Sequence, residues 1–197
     1  EGKPIVFCYG LVCSSLHWTY QIEHFRKNYK MIWMDYRGHQ NSEVPTDLSS
    51  LTLENLAQDL RLLLDELKIQ DAVFLGHSMG VNVVLEFARL FPDRVAGMLL
   101  SNGTANRPLE TLLNSNALVP GFRLLEILRD RAPRVLKKVW TLQKGNPIVH
   151  RAIALLGFNP HLTAKEDVAL YVDKIAEMDP RVFLALIRNY DSYDGSS

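Results

Sequence analysis

Along the first hundred residues, short apolar runs alternate with longer stretches whose apolar positions recur at helical spacing. Ile5 to Cys8, Met31 to Met34, Ala72 to Leu75 and Gly97 to Leu100 have strand length and carry no charge. Between the second and third, Leu53, Leu56, Ala57, Leu60, Leu63, Leu64 and Leu67 mark one face of a helix behind Thr52, a suitable N-cap. A helix over Ser15 to Lys27 would bury Trp18, Ile22 and Phe25, and another from Gly80 to Phe91 would stop at Pro92. Strands that alternate with amphipathic helices predict an α/β fold, a doubly wound parallel sheet with crossover helices on its faces.

From about Asn106 the rhythm changes. Helical patterns over Leu109 to Asn116, Phe122 to Asp130, Arg134 to Leu142, Ile148 to Leu156, Ala164 to Met178 and Arg181 to Asn189 follow one another, separated by Pro120, Pro133, Pro147, Pro160 and Pro180. No convincing strand lies among them. The expected organisation is therefore a partial α/β core over residues 1–105, a helical cap or lid over 106–190, and a polar tail over 191–197 that leads towards further core strands.

Size and charge narrow the function classes. A chain of 197 residues can bury one core with an inserted lid, but not two independent domains. Acidic and basic residues are equal at 22 each, so no long-range field recruits nucleic acid or an anionic surface. The longest uncharged run, Ala72 to Leu85, holds His77, Ser78 and Asn82 and is too short to span a bilayer. No secretion signal opens the sequence. Cys8 and Cys13 have no companion metal ligands, so they are expected to be reduced and buried, with no metal site and a cytoplasmic setting.

The sharpest chemical signal is Gly76-His77-Ser78-Met79-Gly80, between an apolar strand-like run and an amphipathic helix-like run. In a tight strand-to-helix bend the middle residue takes a strained conformation, and the residues two before and two after it have no room for a Cβ. Gly76 and Gly80 meet that requirement. The bend would lift the Ser78 hydroxyl above the carboxyl ends of the strands, at a helix N-terminus.

Three further stretches extend the pattern: Tyr9-Gly10-Leu11 followed by Ser14-Ser15-Leu16-His17-Trp18, Asp35-Tyr36-Arg37-Gly38-His39 followed by Ser42, and Phe91-Pro92-Asp93-Arg94-Val95. With the bend, they resemble the α/β-hydrolase superfamily, in the branch of lidded serine hydrolases that includes esterases, cofactor-free haloperoxidases and C–C bond hydrolases. The resemblance implies that Ser78 is the nucleophile and that the backbone N–H groups of Leu11 and Met79 form the oxyanion hole, with no metal or organic cofactor. Two departures stand out, Tyr9 where histidine is usual and Gln40 where glycine is usual. Ser rather than Asp at position 78 argues against epoxide-hydrolase or dehalogenase chemistry, which in related proteins proceeds through an alkyl-enzyme ester.

The superfamily places its acid and then its histidine after the lid. Neither follows here, so the chain is expected to be a segment of a longer protein and to be inactive by itself. Of the six histidines, His77 is expected to pack away from Ser78, His17, His24 and His39 to be exposed or to hold turns, and His150 and His161 to lie in the lid. Asp173, Asp191 and Asp194 are expected on solvated surface. The expected function is a serine hydrolase cleaving a small or medium, apolar acyl substrate, a carboxylic ester, through an acyl-serine intermediate. A ligand- or partner-binding protein on the same scaffold, and a perhydrolase or C–C bond hydrolase, are the alternatives.

Overall fold

The computed structural model describes residues 2–106, 119–159 and 161–195. The expected helix over Leu109 to Asn116 lies outside the described residues. Four strands, β1 (Lys3–Cys8), β2 (Tyr29–Trp33), β3 (Ala72–His77) and β4 (Val95–Ser101), form one parallel sheet in the order β2-β1-β3-β4. Ile5 pairs with Met31 on one side and Val73 on the other, and Gly76 lies between Cys8 and Leu100. The two central strands are buried on both faces, as a parallel sheet requires: Val6, Phe7, Cys8 and Phe74 are almost wholly enclosed. By contrast β4 is an edge, and Met98, Leu99 and Leu100 on it are exposed.

After β1 the expected single helix is broken in two, a 3-10 turn at Ser15–Trp18 and α1 at Thr19–Phe25. The cause is local capping. The Ser14 hydroxyl accepts the Leu16 N–H at 3.3 Å, the His17 ring accepts the Ser14 N–H at 3.1 Å, and the Thr19 hydroxyl donates to the Leu16 carbonyl at 2.7 Å, which together hold the first turn tight. Trp18 is buried, while Ile22 and Phe25 pack at the margin of the core.

Helix α2 (Leu53–Glu66) starts where the Thr52 hydroxyl accepts the Asn55 N–H at 3.1 Å, and it buries Leu53, Leu56, Ala57, Leu60 and Leu64. Helix α3 (Met79–Leu90) leaves the end of β3 and lays Phe87 against Phe74, with ring centroids 4.7 Å apart.

The remaining helices are α4 (Val119–Arg131), α5 (Pro133–Thr141), α6 (Pro147–Gly157), α7 (Lys165–Glu177) and α8 (Pro180–Asp191). Pro133, Pro147 and Pro180 each occupy a first helical position, where the missing N–H costs nothing, so they begin helices as well as separating them. The Trp140 indole N–H donates to the Ile175 carbonyl at 3.0 Å and ties α5 to α7.

Helix α8 joins this half to the sheet. Val182, Leu186 and Tyr190 enter the main core, and the Asn189 side chain accepts the Leu53 N–H at 2.9 Å, capping the start of α2 from a distant part of the chain. Gly38, at φ +72°, leaves the space Val182 needs: a Cβ there would sit 2.7 Å from a Val182 methyl. Beyond α8, Asp194 bridges to Asn106 in antiparallel fashion, which brings the tail back beside the end of β4. Among the described residues, no helix is long and apolar enough to cross a membrane. Cys8 and Cys13 are buried and unpaired.

Candidate active site at the strand-to-helix bend

The chain turns from β3 into α3 through Ser78, at φ 54° and ψ −126°. An L-residue rarely holds that conformation, at a cost of about 1–3 kcal/mol, unless its surroundings enforce it. They do so here by close approach of main chains. A Cβ on Gly76 would lie 2.8 Å from the Gly80 carbonyl oxygen, and one on Gly80 would lie 2.1 Å from the Cys8 carbonyl oxygen. The Ser78 N–H donates to the Ser101 carbonyl at 3.1 Å, and its own carbonyl accepts the Val81 N–H at 2.9 Å, so the bend is tied to β4 and to the first turn of α3.

The loop after β1 meets the bend. A Cβ on Gly10 would come 2.8 Å from Ser78 Cβ and 3.2 Å from Ser78 Oγ, so only glycine lets this loop pass. Sequence reasoning assigned Gly10 no role, although the run Tyr9-Gly10-Leu11 carried the signal. Immediately after it the chain turns: Val12 has φ 59° and the Cys13 N–H donates to the Gly10 carbonyl at 3.1 Å. Among the described residues, the N–H groups of Leu11 and Met79 have no acceptor, the second because it is an orphan of the α3 N-terminus. The Ser78 side chain is half-buried. Ser78, the Gly10 loop and the N-terminus of α3 thus lie together at the carboxyl end of the sheet.

Tyr9 explains how the loop is held. Fully buried, its phenol accepts the Tyr36 N–H at 3.0 Å and donates to Asp35 Oδ1 at 3.3 Å, while the Tyr36 phenol donates to the Tyr9 carbonyl at 3.2 Å. Burial raises the pKa of both phenols, so they remain neutral struts. The rest of the Asp35 to Ser42 stretch is likewise consumed in structure. Arg37 forks onto Asp59 of α2 at 2.5 and 2.6 Å, and the Ser42 hydroxyl donates to the Asp35 carbonyl at 2.6 Å. Gln40 adopts φ +45°, a left-handed turn position that suits glycine better.

None of the histidines among the described residues hydrogen-bonds to Ser78. The His77 ring packs edge-on to Trp18, and burial lowers its pKa. His17 caps its own turn and rests on Tyr171. His39 is enclosed, its Nδ1–H donating to the Arg37 carbonyl at 3.3 Å, and burial brings its pKa down to about 4. His150 faces Asp173 at 3.1 Å. His161 is exposed. Asp173 lies at the solvated surface as expected and there also accepts the Gly145 N–H at 2.8 Å, which holds its carboxyl below the usual range.

Two tyrosines of the helical half do reach the site, and no local pattern in the sequence announced them. Burial raises the phenol of Tyr171 on α7, which packs against the core and the His17 ring, and pushes the nearby Cys13 thiol up to about 12. Tyr190 of α8 is buried; burial raises the pKa of its phenol and the nearby Ser78 acts in the opposite direction.

Known proteins are similar to this chain in sequence and fold. Bifunctional epoxide hydrolase 2 of Sus scrofa is 29% identical over 103 residues, 52% of this chain and 19% of that protein. A putative 2-succinyl-6-hydroxy-2,4-cyclohexadiene-1-carboxylate synthase of Bacillus subtilis (strain 168) is 28% identical over 130 residues, 66% of this chain and 43% of that protein. The fold superposes on a thermophilic esterase of Thermogutta terrifontis with a TM-score of 0.69 at 23% identity, covering 100% of this chain and 66% of the esterase. The chain therefore matches less than half the length of either curated relative and about two-thirds of the solved enzyme. The sequence model of the α/β hydrolase fold matches residues 3–143, and on that match together with the parallel sheet the chain belongs to the α/β hydrolase family.

Proposed function

We propose that the whole protein of which this chain is part is a serine hydrolase that cleaves a small or medium, apolar acyl substrate, a carboxylic ester, through an acyl-Ser78 intermediate. The observation that carries the reading is the strained Ser78 backbone beside two amides without acceptors. In the mechanism that follows, Ser78 Oγ attacks the ester carbonyl as a base removes its proton. The Leu11 and Met79 N–H groups receive the oxyanion, the alcohol leaves with a proton from the base, and water then cleaves the acyl-enzyme. Loss of one such amide donor is worth about 3 kcal/mol of barrier.

A serine at the head of α3 supports acyl transfer over epoxide opening, for which the related chemistry uses a carboxylate. Since no described histidine meets Ser78, the base and its orienting acid are assigned to residues outside the described ones. The helical half, residues 106–190 in this reading, acts as a lid that shapes the acyl pocket.

The test uses the full-length protein, a fluorophosphonate probe and a short-chain chromogenic ester. The wild type is expected to be labelled and to turn over ester, and Ser78→Ala to lose labelling and to retain only a background of roughly 10³–10⁴ over water. A folded wild type that does neither overturns the reading. That outcome would favour a ligand-binding protein on this scaffold, which the lack of a described base at Ser78 also suits.

A further inference from the structure

Helix α5 carries two apolar lines, where a helix packed on one side needs a single one. Leu136 and Trp140, four positions apart, are buried, and Trp140 meets both α7 and α8. Val135, Val139 and the C-terminal cap Leu142 recur four and then three positions on, along a second line, and are 49%, 47% and 61% exposed. Valine is a poorer helix former than leucine or lysine, so neither helix propensity nor packing among the described residues accounts for this line. Helix α4 likewise leaves Leu124 and Ile127 exposed.

Charge is segregated on the same helices. The overall balance of 22 acidic and 22 basic residues hides it, because residues 119–146 hold seven basic residues against two acidic ones. Both acids are already engaged, Asp130 with Arg129 at 2.7 Å and Glu126 with Arg188 at 4.0 Å. Among the described residues, Arg134 and Lys138 make no ion pair and are exposed. Lys138 is four residues from Arg134, four from Leu142 and three from Val135, so a basic line borders the exposed apolar one.

We infer that the exposed face of α5 is a docking surface for an anionic lipid bilayer, with Arg134 and Lys138 on the headgroup phosphates and Val135, Val139 and Leu142 in the acyl boundary. That is how a helix with an apolar face beside a basic one lies in the plane of an interface. A nucleic acid would use the same cations, but it offers nothing to three aliphatic side chains, and the aromatic ring of α5, Trp140, is buried where no base can stack on it. Docking holds the helical half against the phase in which apolar esters dissolve, and it stands whether or not Ser78 is a nucleophile.

The test is co-sedimentation of the full-length protein with vesicles of phosphatidylcholine, alone or with about 30% phosphatidylserine. The protein is expected to pellet with the anionic vesicles at least about tenfold more strongly than with the neutral ones, and to be released as salt rises from about 0.1 M to 1 M, where the screening length shortens from about 10 Å to 3 Å. One cation near such a surface corresponds to about a fivefold change in partition, so Arg134→Gln with Lys138→Gln should weaken binding about 25-fold. Lys27→Gln with Lys30→Gln, exposed positions at the start of β2, should stay within about twofold of wild type. Val135→Asn with Val139→Asn, which leaves every charge in place, should weaken binding about tenfold. A wild type that stays in the supernatant with anionic vesicles overturns the proposal. Equal weakening by the Lys27 and Lys30 pair overturns it too, since net charge rather than this face would be at work. So does wild-type binding by the folded valine variant, because charge alone would then suffice, as in a nucleic-acid site. If the valine variant does not fold, Leu142→Ser carries the same test, with a loss of about threefold to fivefold expected.

Discussion

The bend around Ser78 and the helical half are built on different physics. At the bend, position is set by main chain against main chain: Gly76 and Gly80 each sit where a Cβ would meet a backbone oxygen at 2.8 Å or closer. In the helical half it is set by side chains, Trp140 on Phe183 with centroids 5.0 Å apart and Val172, Leu184 and Ile187 in the seams between helices. Backbone contacts at that range tolerate no substitution. Side-chain seams repack. The helical half also leaves Ile148 and Leu155 exposed, whereas β1 and β3 leave almost nothing apolar in contact with solvent. The site is thus rigid on its sheet side and adaptable on its helical side.

The most severe way to break the contrast is Gly80→Ala. A methyl group 2.1 Å from the Cys8 carbonyl oxygen has no flexible neighbour to displace, so β1 and α3 must separate. The expected loss is about 4 kcal/mol or more, in the range reserved for such backbone conflicts. Urea unfolding of the full-length variant measures it. A loss near the roughly 1 kcal/mol of an ordinary Gly-to-Ala exchange would show that the approach of main chains is not what holds the bend.

Trp140→Ala probes the other side. It removes a buried ring and the hydrogen bond to the Ile175 carbonyl, so a loss of about 3–5 kcal/mol is expected. Because the seam lies between α5, α7 and α8, the loss should fall on the helical half. Limited proteolysis should open sites in residues 133–178 while the sheet remains protected. Equal protection of both halves in the variant would mean that they unfold as one unit.

The same division explains what the sequence disclosed. The four strands and α2, α3 and α5–α8 were legible to within two or three residues, because apolar periodicity and capping residues such as Thr52 are local signals. The break between the 3-10 turn and α1 was not, since it depends on the reciprocal hydrogen bonds of Ser14 and His17, which leave the apolar spacing unchanged. Gly76, Ser78 and Gly80 could be named because strain must be relieved by neighbours two positions away. Tyr190, Tyr171 and the anchoring of α8 by Asn189 could not. They meet the core across most of the chain's length, and a tyrosine on an amphipathic helix reads only as a packing residue. Gln40 carried a faint signal, a non-glycine residue in a turn that proved to need positive φ.

A milder perturbation sharpens the contrast through pH. His39 lies on the sheet side of the junction, enclosed against Tyr9 and Tyr36, and burial takes its pKa from 6.5 to about 4. The native state holds it neutral while the unfolded chain protonates it at the higher value. Its contribution is therefore complete above about pH 6.5 and is lost as the pH falls towards 4. At about 1.4 kcal/mol for each pH unit, about 3 kcal/mol is at stake. His17 and His77, also lowered by burial, act in the same direction. The carboxylates of the helical half respond later. Asp173, given its Gly145 N–H, and Glu177, paired with Lys144 and Lys174, have pKa values below the usual carboxylate range, so their contribution holds until the pH falls below about 4. Unfolding by urea between pH 7 and pH 4.5 should consequently weaken the sheet side first. His39→Asn, which keeps a donor for the Arg37 carbonyl but cannot take up a proton, should flatten that slope. An unchanged slope in the variant would move the acid sensitivity to other groups and remove the buried imidazole from the account.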